Sequence, residues 1–192
     1  MIVCSKNCYS YSDLQQVRIH SIVHMNSAKR YVPWATWEEW MYVRQLLYSS
    51  NVEDIMEGVD IVNVWKLRAS GVPVAIESTA LFSKLILKME DCLKEEEETG
   101  YSMNYDELLY SASLAMIRMV NGVIDVEQKG VYSKSVNVIA EEIGLPRAFV
   151  DLRHNCTHND LPSFDVMLLS LKNAKLWLAD FYWQVGLSDS VE

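Results

Sequence analysis

Helix start and stop signals recur along this sequence at short intervals, and no run after residue 30 alternates apolar and polar residues as a strand would. Only seven Gly and four Pro interrupt the 192 residues, which favours long helices over a fold built from many tight turns. These features predict an all-α protein, a helical bundle of about six to seven helices.

The expected helices begin at residues that can cap a free helix N-terminus and end near Gly or before Pro. Three pairs share the pattern of a capping side chain followed three residues later by Glu: Thr36 and Glu39, Ser50 and Glu53, and Asn104 and Glu107. Pro73 and Pro146 suit a first helical turn. The predicted helices cover residues 37–48, 51–69, 73–97, 105–128, 135–143, 146–158 and 163–186.

Two regions of unequal order are expected along the chain. Residues 1–30 are weakly patterned and predict a loosely structured N-terminal arm, with a short strand possible at 16–24. Residues 31–192 contain all the helix signals and no internal repeat, so they predict one domain of ordinary size.

The formal charge of −9 argues against broad, non-specific binding of RNA, because such binding relies on a basic surface. Residues 90–98 hold six acids and one Lys, a run typical of a solvated helix end. The charge therefore predicts that any nucleic-acid contact is local.

Neither a secretory signal nor a convincing membrane span is recognisable. Cys4, Cys8, Cys92 and Cys156 therefore predict reduced thiols of an intracellular protein. The apolar runs 108–124 and 164–185 both contain charged residues, and the first also contains Asn121. They predict central helices of a bundle and no association with a membrane.

One segment, residues 145–163, concentrates side chains that can bind phosphate or transfer protons. Between Arg147 and His158 it gathers two Arg, one Asp and two of the four His of the chain. His154 and His158 are four residues apart and share a helix face, and Arg153 lies beside them. Apolar residues on the other side can face the core, so the polar set must point into a cleft or into solvent.

Cleavage of RNA by its own 2′-hydroxyl needs such a set of side chains. A base must take the proton of the 2′-hydroxyl, and an acid must protonate the leaving 5′-oxygen. Imidazole titrates near neutrality and can do either, whereas guanidinium is always charged and can bind two phosphate oxygens. No metal or other cofactor is needed. The products are a 2′,3′-cyclic phosphate and a 5′-hydroxyl.

The residue types alone leave three other interpretations open. His154 and His158 can be two ligands of a zinc site, although the HExxH motif has Glu where this chain has Asn155. The helix can be purely structural, with hydrogen-bonded His side chains. Cys156 can act as a nucleophile with His158, although the helical spacing turns the two apart.

Neighbouring residues also allow both a functional and a structural interpretation. Arg147 can contact an RNA phosphate or lie exposed at the helix start, and Asp151 can orient Arg153 or a His but suits a surface charge better. The six Trp can stack on bases, but helices with apolar faces favour them as core residues. They are Trp34, Trp37, Trp40, Trp65, Trp177 and Trp183.

The string Arg153-His154-x-x-x-His158 resembles the R-[NHD]-x-x-x-H signature of HEPN domains, many of which are metal-independent ribonucleases. Together with residues 32–40 (VPWATWEEW), 174–178 (AKLWL) and 181–183 (FYW), it resembles the HEPN endoribonucleases of the Las type, which process precursor ribosomal RNA. The resemblance covers roughly residues 31–187.

This resemblance implies that Arg153 binds the scissile phosphate and that His154 and His158 exchange protons with the RNA. It also implies a homodimer that pairs two copies of the motif in one cleft, and cleavage within the second internal transcribed spacer. The implied partner is a polynucleotide 5′-kinase, and the implied location is the nucleus and nucleolus. The alternative function is a non-catalytic helical module for dimerisation or scaffolding in an RNA-processing complex, which would not need all three motif residues.

Overall fold

Seven α-helices and a short 3-10 helix make up the computed structural model, which describes residues 32–101, 104–128 and 134–186. They are α1 (Trp37–Leu47), α2 (Val52–Arg68), α3 (Val74–Thr99), α4 (Asp106–Glu127), α5 (Val136–Ile143), α6 (Arg147–His158), α7 (Phe164–Phe181) and the 3-10 helix Trp183–Gly186. No strand occurs in these ranges, so the all-α prediction is confirmed. The predicted arm, its strand at 16–24, and Cys4 and Cys8 lie outside the described residues.

The start of α1 is fixed by hydrogen bonds that also join it to α2. Thr36 Oγ1 accepts a hydrogen bond from the backbone N–H of Glu39 at 3.2 Å, as the capping pattern predicts. The Glu39 carboxylate accepts one from the backbone N–H of Ala35 at 2.6 Å and one from the indole N–H of Trp65 at 2.8 Å. Both hydrogen bonds lower the pKa of Glu39, because they stabilise its charged form, and the bond from Trp65 has the larger effect.

The second capping prediction was wrong by one residue. The N-cap of α2 is Asn51, whose side-chain oxygen accepts from the backbone N–H of Glu53 at 2.7 Å, and Ser50 has no such role. An Asn oxygen reaches the N–H two residues onward, so Asn51 can satisfy the helix start from a position nearer to it. The third capping prediction was also wrong by one residue, because the N-cap of α4 is Tyr105, although Asn104 accepts a hydrogen bond from the N–H of Asp106 at 2.9 Å.

Aromatic side chains join α1 to the 3-10 helix that follows α7. Trp40, Trp65 and Trp183 are buried, which confirms their predicted place in the core. Trp40 and Trp183 lie 4.7 Å apart between ring centroids, and the Trp183 indole donates to Thr79 Oγ1 of α3 at 3.0 Å. Trp37 does not fit the core prediction, because its side chain is 47% exposed and stacks on the outer side of Trp40.

The last helix is shorter than predicted. α7 ends at Phe181, and the chain continues as a 3-10 helix instead of extending the α-helix to residue 186. Tyr182 and Trp183 are both buried and meet edge to face. The 3-10 helix therefore keeps both aromatic side chains in the core beside α1.

The central helix of the bundle is α4, which packs against α3, α5, α6 and α7. By length and composition alone it is the one described helix that could cross a membrane. Its buried residues lie instead among those of the surrounding helices, as expected for the core helix of a bundle. They are Ala112, Ser113, Ala115, Met116, Met119, Val120, Val123 and Ile124.

Gly122 of α4 lies close to the start of α3. A Cβ atom at this position would lie 2.5 Å from Cγ2 and 3.2 Å from Cβ of Val74, at the start of α3. Val is stiff at χ1, so it cannot easily turn this methyl away. Gly122 therefore lets the two helices pack at a distance that any larger residue would increase.

We predict that Gly122→Ala lowers the free energy of unfolding by about 1–3 kcal/mol through overpacking, even though Ala is the better helix former. Gly71→Ala is the control, because a Cβ there has no neighbour within 4 Å. Adding Val74→Ala should restore part of the loss. Urea denaturation of the four proteins measures these differences, and a Gly122→Ala protein as stable as wild type would contradict the close approach.

Candidate active site

The helix α6 is held in place by a tight turn before it and by apolar contacts along one side. Gly144 adopts a left-handed conformation with φ 67° and ends α5, and the Leu145 N–H returns to the Ala140 carbonyl at 2.8 Å. The indole of Trp177 on α7 donates to the Gly144 carbonyl at 2.9 Å. Pro146 then precedes the first turn of α6.

Three buried side chains, Phe149, Val150 and Leu152, dock α6 in the core, where α4 is its main neighbour. The other side of α6 faces solvent, so the predicted polar set lies on an open surface. A groove along α1, with Trp37, Met41 and Tyr48 among its lining residues, includes none of the motif residues.

The two histidines of the motif lie side by side at the exposed surface of α6. The centroids of their rings are 5.0 Å apart, and the ring planes are inclined by 52°. Neither imidazole has a hydrogen-bond or ion-pair partner among the described residues. The purely structural interpretation expected hydrogen-bonded histidines, and this geometry does not support it.

Arg153 lies differently, with its side chain half-buried toward α4. Its Nη1 donates a hydrogen bond to Oδ1 of Asn121 at 3.3 Å, and its Nε is shielded from solvent without an acceptor. Within the described ranges no carboxylate forms an ion pair with this guanidinium. The structure therefore places Arg153 between the polar face of α6 and the central helix, with its charge uncompensated.

Asp151 does not orient Arg153 or either histidine through a hydrogen bond. Its carboxylate lies 3.7 Å from Nε of Arg147, one turn earlier, and both side chains are largely exposed. The interpretation of Asp151 as a surface charge is confirmed. Arg147 is an exposed residue at the start of α6, so the structure leaves it available to solvent.

The described side chains near the histidines bring neither a third metal ligand nor an adjacent thiol to the two imidazoles. Cys156 is half-buried and packs against the hydrophobic core, away from the exposed imidazoles. Among the residues that the structure describes, no third His, Cys, Asp or Glu joins His154 and His158 in a group with metal-binding geometry.

The sequence did not identify Asn121 as a member of this site. Its only signal was its polarity within the apolar run 108–124, where it counted against a membrane span. The partnership with Arg153 links residues 32 positions apart, and local spacing cannot predict such a contact.

An exposed stripe of α4 extends from Asn121 along the helix. Tyr110 and Leu114 precede Asn121 by eleven and seven residues, so they share its side of the helix, and both are more than half exposed. Arg118 is exposed on the same side, one turn before Asn121. The surface beside Arg153 thus combines apolar side chains with a second cation.

The sequence of the chain matches a known family over most of its length. Residues 32–185 fit the family model described as Las1-like. The matched region begins just before α1 and ends in the 3-10 helix, so it includes the candidate site.

Curated relatives agree with this match. The chain is 32% identical over 165 residues to Protein LAS1 of Saccharomyces cerevisiae, covering 80% of this chain and 31% of the relative. It is 29% identical over 158 residues to Pre-rRNA-processing protein las1 of Schizosaccharomyces pombe, covering 79% and 30%. For Ribosomal biogenesis protein LAS1L of Mus musculus the identity is 26% over 164 residues, covering 84% and 20%.

The chain spans about a third or less of the length of these curated relatives. The family model, however, covers the fold from α1 to the last turn and contains all three motif residues. By this match the chain belongs to the Las1-like family.

Proposed function

We propose that this chain is a metal-independent endoribonuclease domain of the HEPN type that cleaves precursor ribosomal RNA. The observation that carries the proposal is the arrangement on α6, where two exposed imidazoles lie 5.0 Å apart beside an arginine without a carboxylate partner. The names of two relatives, which refer to pre-rRNA processing and ribosome biogenesis, supply the substrate class.

The reaction needs no group beyond these side chains and the RNA. One imidazole takes the proton of a 2′-hydroxyl, whose oxygen attacks the adjacent phosphorus as the bond to the 5′-oxygen breaks. A second imidazole, in its protonated form, gives a proton to the departing 5′-oxygen. The products are a 2′,3′-cyclic phosphate and a 5′-hydroxyl end.

Arg153 is suited to the charge that develops in this reaction. The attacked phosphate gains negative charge in the transition state, and guanidinium keeps its positive charge at any physiological pH. An arginine paired with a carboxylate would lose much of its attraction for phosphate. Since Asn121 is neutral, Arg153 keeps its full charge for the RNA.

The active unit is proposed to be a homodimer. In-line attack places the base and the acid on opposite sides of the phosphorus, whereas the imidazoles of one α6 lie side by side. A second α6 facing the first would supply imidazoles on both sides. The exposed stripe of α4, in which Leu114 and Tyr110 lie two and three turns before Asn121, offers an apolar surface through which two copies can meet.

The proposal extends to the pathway that the resemblance implies. The cut is proposed to fall in the second internal transcribed spacer, in the nucleus and nucleolus. A 5′-hydroxyl product requires phosphorylation before enzymes that need a 5′-phosphate can act on it. A polynucleotide 5′-kinase is therefore a chemically fitting partner.

We predict that Arg153→Ala and His158→Ala each reduce kcat/KM for cleavage of a structured precursor RNA about 100-fold or more, because each removes a group needed in the transition state. Lys94→Ala, at the exposed acidic end of α3, is the control for the loss of a positive charge. Single-turnover cleavage gives the rates, and thermal melting verifies folding. Undiminished cleavage by both variants would refute the assignment of the active site to Arg153 and His158, whereas absence of cleavage by the wild-type protein would favour the non-catalytic scaffold function.

Cleavage is expected to proceed at the same rate in EDTA as in its absence, since no metal takes part in the steps above. The upstream product should resist a 3′-end ligation until its cyclic phosphate is opened by acid and the resulting monophosphate is removed by a phosphatase. The downstream product should accept phosphate from a kinase without prior dephosphorylation. Loss of cleavage in EDTA, restored by zinc, would revive the metal interpretation of His154 and His158.

We further predict that Leu114→Glu converts a dimer into a monomer and abolishes cleavage, because it puts a charge into the proposed contact. Leu67→Glu on α2 is the matched control, since Leu67 is 88% exposed. Light scattering during gel filtration measures the mass of each protein. A wild-type protein that cleaves RNA as a strict monomer would refute the composite site.

A further inference from the structure

We propose that Asn121 is the positioning residue of Arg153, and that it holds the guanidinium in place while leaving its charge available to an RNA phosphate. This inference rests on the endoribonuclease function proposed above and adds a residue outside the RHxxxH motif to the same site. It starts from the contact between Nη1 of Arg153 and Oδ1 of Asn121, which lie 3.3 Å apart.

The surroundings of Arg153 make this contact more than a surface hydrogen bond. Its Nε is buried and has no acceptor, so the inner part of the guanidinium has already lost its contact with water. The Asn121 oxygen is the acceptor that the described residues provide. Without it, the guanidinium would have to turn outward for solvent or form a bond to some other acceptor.

The acceptor is carried by a helix that is packed in the core. Asn121 lies on the central helix, directly between buried Val120 and Gly122, and Gly122 packs closely on Val74 of α3. A short side chain on a packed helix has few conformations, so it can position its partner with little loss of side-chain entropy during the reaction. The order of the core is thereby transmitted to Arg153 through one hydrogen bond.

The chemical nature of the acceptor also matters. A carboxylate at this position would bind the guanidinium as a charged pair and compete with phosphate for the same N–H groups. An amide accepts one N–H and leaves the charge and the other outward N–H groups free. The one acid of α6, Asp151, forms its ion pair with Arg147.

A purely structural role would join α4 to α6 without affecting the charge of Arg153. The two roles respond differently to Asn121→Asp, which changes the size of the side chain very little. A structural contact should tolerate the change, because an ion pair replaces a neutral hydrogen bond. A positioning role should not, because the new carboxylate neutralises the group that binds phosphate.

The experiment is single-turnover cleavage by wild type, Asn121→Ala, Asn121→Asp, Arg153→Ala and the double variant Asn121→Ala/Arg153→Ala. The control is Asn173→Ala, an exposed Asn on α7. We expect both Asn121 variants to lower the cleavage rate at saturating protein by at least about 10-fold, as loss of a hydrogen bond to a charged group implies, with little change in RNA affinity. Asn121→Asp should melt at or above the wild-type temperature.

The double variant tests whether Asn121 acts through Arg153. If it does, the double variant cleaves no more slowly than Arg153→Ala alone, because the positioned group is already absent. Rate losses that multiply would overturn the inference, as would a fully active Asn121→Asp protein. The proposed function fails separately, if Arg153→Ala itself retains wild-type activity.

A readout without RNA keeps the inference testable if the domain alone does not cleave. In ¹⁵N relaxation, the Nε–H group of Arg153, assigned by its loss in Arg153→Lys, should be rigid in the wild-type protein. It should become mobile in Asn121→Ala and stay rigid in Asn173→Ala. Equal mobility of this group in wild type and Asn121→Ala would overturn the positioning role whatever the activity.

Discussion

The burial of α4 among four other helices is the constraint on which the geometry of the candidate site depends. One side of α4 is buried in the centre of the bundle, and Gly122 on this helix packs closely on Val74 of α3. An adjoining side of α4 faces α6, and there Asn121 accepts a hydrogen bond from Arg153. The position of the motif arginine is therefore set by core packing in a distant part of the sequence as well as by α6 itself.

The histidines depend on this packing in a simpler way. Phe149, Val150 and Leu152 press α6 against the core, and helical periodicity then leaves His154 and His158 on the outside. Their separation follows from the four-residue spacing. The motif thus combines two exposed imidazoles, which local geometry can place, with one half-buried guanidinium, which needs a second helix.

The sequence predicted well the features that depend on local interactions, and it missed those that depend on contacts between distant residues. Helix positions were predicted well because Gly, Pro and capping residues act on their immediate neighbours. Residues 50 and 51 offer two competent caps, and propensity alone cannot choose between them. Trp37 and Trp40 share one helix face, and the sequence could not show that Tyr182 and Trp183 pack on Trp40 and leave Trp37 exposed.

The candidate site was predictable to a similar extent. The spacing of His154 and His158 indicated a shared face, and the sequence sufficed to find them. The environment of Arg153 was not predictable, because its partner precedes it by 32 residues on another helix. Asn121 was visible only as a polar residue in an apolar run, a pattern that fits many roles besides binding an arginine.

The distribution of positive charge connects the acidic composition with a proposed RNA substrate. Across the described residues many cations are paired with carboxylates, and these are Lys66, Arg68, Lys94, Lys134, Arg147 and Lys172. Arg118 and Arg153 are among the described cations that form no such pair, the others being Arg44, Lys84, Lys88 and Lys175. Asn121 links the first two, since it contacts Arg153 and lies one turn from Arg118. Two copies facing each other would bring four such cations to one cleft. A protein with a net charge of −9 would then repel RNA over most of its surface and attract it at the site of cleavage.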